Sequence, residues 1–184
     1  EKAFELIYIN GYQATSIDDI IAKTKVTKGA FYYHFKNKDE MGLAVINDLM
    51  RPYMNISFMN ELNSEKDPIK AIYGLMEKLL LKSPLLIREY GCPAGNLSQE
   101  MSPLDPQFGR ALLALFDQWK ENLKACINKG KKAGLIRKDV DAKQVAYFVM
   151  AGYWGIRNVG KLDRSGDCYR VYLKEFKHYL KNLR

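Results

Sequence analysis

The strongest constraint on the fold of this chain is a short amphipathic segment over residues 16–23, followed by a second one after a three- or four-residue break. The isoleucines of the first segment recur at i, i+3 and i+4, the spacing of one helical face: Ile17, Ile20 and Ile21. Thr15 or Ser16 offers an N-cap oxygen, and Asp19 completes a capping box in which aspartate replaces the usual glutamate. Two short capped helices joined by so brief a turn predict a helix-turn-helix.

The second segment, residues 27–34, directs aromatic rings inward and hydrogen-bonding groups outward. Thr27 is its candidate N-cap, and Phe31 and Phe35 at i and i+4 share one helical face. On its other faces, phenol hydroxyls and an ammonium group can reach phosphates and base edges. Five lysines without an intervening acid run through this part of the chain: Lys23, Lys25, Lys28, Lys36 and Lys38. The segment is therefore interpreted as a recognition helix.

Two stretches of the N-terminal region carry a family resemblance. Gly11-Tyr-x-Ala-Thr-Ser-Ile-x-x-Ile and Val26-Thr-Lys-Gly-x-Phe-Tyr-Tyr-His-Phe-x-x-Lys-x-x-Met41 are similar to the DNA-binding domain of TetR-family transcriptional regulators. At the turn the family usually has Ala-Gly-Val, whereas this chain has Thr24-Lys25-Val26. If Lys25 adopts the left-handed conformation that glycine would occupy there, the backbone strain costs about 1 kcal/mol.

The pattern and the resemblance together imply which groups meet DNA. Lys28 and Lys38 are expected on phosphates, the tyrosines and histidine at 32–34 on phosphates and sugar, and Gly29 where the backbone approaches DNA closely. Hydroxyls at helix N-termini favour phosphate, and the methyl group of Ala30 can contact only thymine. The full set of expected DNA contacts is Thr15, Ser16, Lys25, Thr27, Lys28, Gly29, Ala30, Tyr32, Tyr33, His34 and Lys38.

Composition sets the remaining bounds. The chain has 184 residues, of which 47% are apolar, and this is enough for a sizeable core. The sequence contains no run of about 18 apolar residues, the length that would predict a membrane span. Three widely spaced cysteines fit a reducing cytoplasm: Cys92, Cys126 and Cys168. The net charge of +8 is not itself a DNA signal, because residues 1–50 hold 6 Lys against 7 Asp and Glu, a local net charge of −1. The chain opens on Glu1 inside an apolar-periodic segment, so we expect residues to precede it.

Periodicity and caps predict an all-α protein of about nine helices with no strand. Asn37 caps the fourth helix with Glu40 at N3, and Asp67-Pro68 starts the fifth with proline at N1. The expected helices span about 1–10, 16–23, 27–34, 38–59, 67–83, 92–101, 106–133, 141–162 and 166–183. We expect a DNA-binding domain over residues 1–47, with its helix-turn-helix at about 16–35, and a ligand-binding and dimerisation domain over residues 48–184.

Large residues on several helices of the second domain are expected to face one another. A helical domain rich in Met and aromatic residues is typical of an apolar ligand pocket, which the TetR resemblance also implies, although ordinary core packing explains each residue singly. The expected lining residues are Tyr73, Met76, Leu80, Cys92, Phe116, Trp119, Phe148 and Tyr153. Cys92 lies in a Gly91-Cys-x-x-Gly-Asn-Leu97 element that resembles one subgroup of TetR-type regulators, some of which sense electrophiles or oxidants through a cysteine.

The last two predicted helices carry a dimerisation signal. Small residues recur within the helix at 141–162, where glycine costs up to about 1 kcal/mol relative to alanine, and this indicates close helix approach. The final helix adds a broad aromatic stripe, so the pair could form either a monomer core or a four-helix bundle across a two-fold axis. The TetR resemblance implies the dimer. The expected interface residues are Tyr147, Ala151, Gly155, Tyr169, Tyr172, Phe176 and Tyr179.

The chain is therefore predicted to be a cytoplasmic, ligand-responsive transcriptional regulator, specifically a repressor released from its operator by a small molecule. Expected partners are double-stranded operator DNA, a small apolar or aromatic ligand and a second copy of the chain, with no membrane, cofactor or metal. A thiol-based sensor using Cys92 is the alternative. A small all-α enzyme lacks support, since the chain has no HExxH, no glycine-rich phosphate loop and no Cys-x-x-Cys. A protein-interaction module gives no reason for the capped five-lysine element.

Overall fold

The computed structural model describes residues 1–83, 88–163 and 165–184, and within these ranges every regular element is helical. Nine α-helices follow one another there, with a short 3₁₀ helix at Arg88–Tyr90, and this confirms the predicted all-α class. They are α1 (Lys2–Asn10), α2 (Ile17–Thr24), α3 (Lys28–His34), α4 (Lys38–Ala44, π-helical Val45–Met50, Arg51–Ser64), α5 (Pro68–Glu77, π-helical Lys78–Lys82), α6 (Pro93–Met101), α7 (Pro106–Lys132), α8 (Ala142–Leu162) and α9 (Asp167–Lys181). None of these described helices combines the length and the apolarity needed to cross a membrane.

The chain divides into two compact units. The first contains residues 1–53 and 93–115, and the second contains the described residues of 54–92 and 116–184. Residues 93–115, which the division of the sequence at 47/48 assigns to the ligand-binding domain, thus pack with the helix-turn-helix region. Helix α6 and the first turns of α7 belong to the first unit.

The core of the first unit forms around the loop between α1 and α2. Gly11 ends α1 with a φ of 92°, a left-handed conformation that suits glycine. The next residue, Tyr12, is buried, and its ring meets that of Phe108 edge-on at a centroid distance of 4.9 Å. The Glu100 carboxylate on α6 accepts the backbone N–H groups of Tyr12 at 2.9 Å and Gln13 at 2.7 Å. This loop is therefore fixed by α6 and α7 as well as by its own helices.

The second unit is held together by α9, which packs against both α5 and α8. A Cβ atom added at Gly152 or Gly160 of α8 would overlap the rings of Tyr172 and Tyr169 of α9, respectively. These two glycines therefore permit close approach of α8 and α9 within one chain. Gly155 differs from them, because an added Cβ there would meet no atom within 4 Å.

Candidate functional site

Helix α2 begins with the predicted capping box. Asp19 N–H donates to Ser16 Oγ at 3.0 Å, and Ser16 N–H donates to Asp19 Oδ2 at 2.9 Å, so Ser16 rather than Thr15 is the N-cap. Hydrogen bonds from the Ser16 hydroxyl and backbone lower the pKa of the Asp19 carboxyl. At the other end, Lys25 takes the left-handed conformation, with φ 61° and ψ 24°. Its N–H donates to the Ile21 carbonyl at 2.9 Å, which closes the turn.

Helix α3 follows two residues later and is capped by Thr27, whose Oγ1 accepts the Ala30 N–H at 3.1 Å. Phe31 is buried and Phe35 half-buried, with ring centroids 5.7 Å apart, as the i,i+4 spacing predicts. These two rings anchor α3 to its unit. Its remaining side chains lie on the surface.

Nine of the eleven predicted DNA contacts are exposed: Ser16, Lys25, Thr27, Lys28, Gly29, Ala30, Tyr32, Tyr33 and His34. Tyr33 is 85% exposed, which is unusual for so large a ring in a free protein. Lys28 Nζ lies 3.5 Å from Asp18 Oδ1, and both side chains are exposed, so this pair is weak and can exchange for a phosphate. Nothing within the unit crowds Gly29, where an added Cβ would only touch Thr27 Oγ1 at 4.0 Å.

Two predicted contacts have a role in the fold. Thr15 is fully buried, and its Oγ1 donates to the Gly11 carbonyl at 2.7 Å, so its prediction as a DNA contact is wrong. Lys38 is half-buried, and its ammonium donates to the carbonyls of Tyr12 at 3.1 Å and Thr15 at 3.2 Å and lies 4.6 Å from the Tyr12 ring centroid. Lys38 thus supports the α1–α2 loop, and its contact with a DNA phosphate stays a prediction.

Part of the predicted ligand pocket comes together in the second unit as an aromatic cluster. We use this name for Phe58, Phe116, Trp119, Tyr153 and Trp154. The Trp119 ring meets Phe58 at a centroid distance of 5.2 Å and Tyr153 at 5.4 Å, and Trp154 meets Phe116 at 4.2 Å. Phe58 and Trp154 were not predicted from the sequence. Trp154 follows the predicted Tyr153 in the chain, and Phe58 contacts the predicted Trp119 across the cluster.

The other predicted pocket residues are distributed more widely. Met76, Leu80 and Cys92 are buried, and Tyr73 is half-buried beneath the Lys177 ammonium at 5.4 Å. Phe148 does not point into the interior: it is exposed, and its ring lies tilted against that of Tyr179 at a centroid distance of 4.2 Å, so its prediction as a pocket residue is wrong. Its position in an apolar helix could not reveal which face turns to solvent.

A second feature of this unit is a small pocket of about 110 Å³ at the end of α4. Met59, Leu62, Pro68, Ala125 and Cys126 supply its apolar lining. It contains Cys126 and none of the predicted pocket residues. Burial raises the pKa of the Cys126 thiol to about 11, so that this cysteine is protonated near neutral pH and unreactive.

The predicted dimer residues separate into three groups by exposure. Tyr147, Ala151 and Gly155 are exposed, and their i, i+4, i+8 spacing places them on one stripe of α8. Tyr169 and Phe176 of α9 are buried inside their own unit, so they are wrong as interface residues. Tyr172 and Tyr179 are half-buried. The aromatic stripe of α9 is thus largely the monomer core, the alternative that the sequence left open.

These features define a class of protein. The first unit contains a helix-turn-helix, formed by the capped α2, a tight left-handed turn and the short α3 with its exposed Lys, Tyr and His residues. The second unit is helical and has an aromatic interior. This is the arrangement of a DNA-binding regulator with a second, sensing domain.

Comparison with known proteins identifies the family. The sequence model described as "Bacterial regulatory proteins, tetR family" matches residues 1–45, and "Tetracyclin repressor-like, C-terminal domain" matches residues 69–176. The chain therefore belongs to the TetR family. It is 27% identical over 167 residues, 91% of this chain and 82% of the relative, to the HTH-type transcriptional repressor DhaR of Mycobacterium sp. (strain GP1).

Solved structures agree. The chain is similar to a TetR transcriptional regulator from Chloroflexus aurantiacus, with a TM-score of 0.86 and 25% identity over 97% of this chain and 90% of that one. The reduced form of NemR from E. coli has the same fold, with a TM-score of 0.85 and 20% identity over 99% of this chain and 92% of that one. The chain is accordingly a DNA-binding, ligand-responsive transcriptional regulator.

Proposed function

We propose that this regulator is a repressor whose residues 1–47 bind operator DNA and whose residues 48–184 bind a small molecule that releases it. The observation that carries the proposal is the exposed surface of α3. Lys28, Tyr32, Tyr33 and His34 all present polar groups to solvent on this one short helix. Since its operator is chromosomal or plasmid DNA, the protein would act in the cytoplasm.

On DNA, the residues of the helix-turn-helix would divide into two groups. Lys28 and Lys25 would neutralise phosphates, and the hydroxyls of Ser16, Thr27 and Tyr33 would hydrogen-bond to phosphate oxygens and set the register. Gly29 and Ala30 present no large side chain, so the backbone of α3 can approach the bases, where the Ala30 methyl group fits thymine.

The repressor would act as a homodimer. The exposed stripe Tyr147, Ala151 and Gly155 continues to Val159 at the same i+4 spacing, and Val159 is also exposed. Small and apolar residues in a row on one helical face suit close packing against the same helix of a second copy. The two α3 helices of such a dimer must lie about 34 to 36 Å apart to enter successive major grooves.

Release would follow from a change in that spacing. A ligand that binds a conformation with a different spacing better than the DNA-competent one shifts the population away from DNA. Helix α4 starts in the first unit and continues into the second, so it is the element expected to transmit the change.

A gel-shift assay on DNA upstream of the protein's own gene tests the proposal. We expect one retarded complex that survives an excess of unrelated duplex and that disappears when a suitable apolar compound is added. Retardation that unrelated duplex abolishes equally well would reduce the protein to a non-specific DNA binder and contradict the proposal.

A second candidate function is thiol-based sensing through Cys92. Cys92 directly precedes Pro93, the first residue of α6, and a helix N-terminus lowers the pKa of a thiol, whereas burial opposes this. The Gly91-Cys92-x-x-Gly-Asn-Leu element would then mark a sensing subgroup. If Cys92→Ser leaves both the alkylation by a maleimide and the release by an electrophile unchanged, this candidate is excluded; Cys126→Ser is the matched control.

A further inference from the structure

The interior of the second unit contains buried hydrogen-bond donors but, among the described residues, no buried carboxylate. Arg157 on α8 is fully buried, and no Asp or Glu among the described residues is buried anywhere in the chain. The indole Nε1 atoms of Trp119 and Trp154 are also buried, and neither has a hydrogen-bond partner among the described residues. The polar groups described at this site are therefore N–H donors and tyrosine hydroxyls, with no carboxylate acceptor among them.

These donors belong to one region of the unit. Trp119 and Trp154 are both members of the aromatic cluster, in which Trp119 contacts Tyr153, the chain neighbour of Trp154. Arg157 follows Tyr153 by one helical turn on the buried face of α8. Its guanidinium donates to the Gly91 carbonyl and, at 3.5 Å, to the Tyr169 hydroxyl.

A buried N–H group without an acceptor is unfavourable and uncommon in native interiors, so two of them within one cluster require an explanation. An occupant that brings its own acceptors would satisfy both indoles. The same interior disfavours a cation, because Arg157 already places a positive charge there and no buried Asp or Glu among the described residues would compensate a second one.

We propose that the effector of this regulator is a small apolar molecule bearing an acceptor oxygen, a carbonyl or carboxylate, that accepts hydrogen bonds from Trp119 and Trp154, and that it is not a cation. The proposal rests on the proposed function and specifies its ligand class. Arg157 adds a positive potential that favours a carboxylate over a neutral carbonyl. Trp119 and Trp154 are the 2 tryptophans of the sequence, so intrinsic tryptophan fluorescence reports on this site alone.

Matched probes that differ only in their polar group test this directly. Calorimetric titration of the intact protein would use cinnamate, cinnamamide and cinnamylamine, together with the acid, amide and amine of a butenyl and a naphthyl skeleton. We expect the acid and the amide of at least one skeleton to bind at least about tenfold more tightly than its amine. Trp119→Phe or Trp154→Phe should weaken the acid and the amide by about threefold to tenfold and leave the amine unchanged.

The controls separate this proposal from the one on which it rests. Val171→Ala, which shortens an exposed side chain on α9, should change no affinity, and thermal melts identify any tryptophan variant that fails to fold. Three results would overturn the ligand class: an amine that binds as tightly as its acid, no binding by any acid or amide, or an acid preference that persists in both folded tryptophan variants. The third result would mean that water or a ring face satisfies the indoles. Operator binding, measured on the same samples, would remain intact in each of these cases. Its loss would instead contradict the proposed function.

Discussion

At the residue scale, two lysines of similar sequence context have different surroundings. Lys28 is exposed and is paired only with the exposed Asp18, whereas the Lys38 ammonium donates to backbone carbonyls and lies over the Tyr12 ring. A sequence pattern cannot distinguish them, because both follow an N-cap residue and lie in the same lysine run. Their different partners lead to opposite expectations for their removal.

Lys28→Ala should weaken operator binding and lower the slope of log affinity against log salt by about 1, with no loss of stability. Lys38→Ala should instead lower the free energy of unfolding by about 1 to 2 kcal/mol, because it leaves loop carbonyls without their donor. Fluorescence anisotropy at several salt concentrations and urea unfolding measure the two effects. Lys138→Ala, exposed in the second unit, should change neither; equal behaviour of the two variants would contradict these assignments.

Asp163, which lies before α9, is expected to give a pH-dependent contribution. Its Oδ1 accepts hydrogen bonds from the Ser165 hydroxyl at 2.6 Å and backbone, and its Oδ2 accepts the Cys168 N–H at 2.9 Å. These bonds, that of the Ser165 hydroxyl first, lower the pKa of Asp163 from 3.8 to about 2. Because the folded pKa is the lower one, the carboxylate stabilises the fold above pH 3.8, and this stabilisation is lost as the pH falls to about 2.

Thermal unfolding of Asp163→Asn should therefore occur at a lower temperature than that of the natural protein at pH 7, and the difference should shrink as the pH falls through about 4 to 3. Gln144→Ala, at an exposed uncharged residue in the same unit, serves as the control and should show a difference that does not vary with pH. A difference for Asp163→Asn that is constant from neutral to acidic pH would show that the lost charge is not the cause.

At the scale of elements, local patterns predicted most of what the structure contains. The Ser16 and Asp19 box, the Thr27 cap and the left-handed Lys25 all follow from interactions within a few residues of the chain. Burial depends instead on which elements meet. Thr15 is a residue type that often caps a helix at the surface, yet here the loop in which it lies buries it. The burial of Arg157 could have been inferred from its position on the apolar stripe of α8. Its hydrogen-bond partners could not, because they lie outside α8.

The clearest contact that no local pattern predicts is that of Glu100 with the α1–α2 loop. Glu100→Gln keeps one acceptor oxygen and replaces the other with a donor, so it should lower the free energy of unfolding by about 1 to 2 kcal/mol. Operator affinity should fall with it, because the loop precedes the capped start of α2. Urea unfolding and anisotropy are the measurements. Glu121→Gln, in an exposed pair with Lys124, should have little effect on either; an unaltered Glu100→Gln would show that α6 does not hold the loop.

At the scale of the whole molecule, dimerisation decides whether two recognition helices can act together. Hydrophobic periodicity showed that α8 and α9 are amphipathic but not which face meets a neighbour, so buried rings such as Tyr169 and Phe176 were grouped with exposed α8 residues. The glycines illustrate the same limit. Gly152 and Gly160 accommodate α9, and only Gly155 lies open on the outer stripe.

Gly155→Arg should convert the dimer to a monomer at micromolar concentration without loss of monomer stability. An added side chain there meets no atom of its own chain within 4 Å, but a charge on the stripe would be buried without a partner between two copies. Sedimentation velocity measures the outcome. Ala133→Arg, exposed beyond the end of α7, should still sediment as a dimer. A dimeric Gly155→Arg would place the interface elsewhere.

Selection of binding sites from random-sequence duplex DNA tests whether exposed α3 residues of two copies read an operator as a symmetric pair. We expect enrichment of two inverted half-sites whose centres lie about one or more DNA turns apart. In anisotropy titrations, the protein should bind the selected duplex with an affinity that falls linearly in log salt, and Lys28→Ala with Tyr33→Phe should lose that affinity while remaining folded. Failure to enrich any sequence, or a double variant that binds the selected duplex as tightly as the natural protein, would contradict this mode of operator recognition.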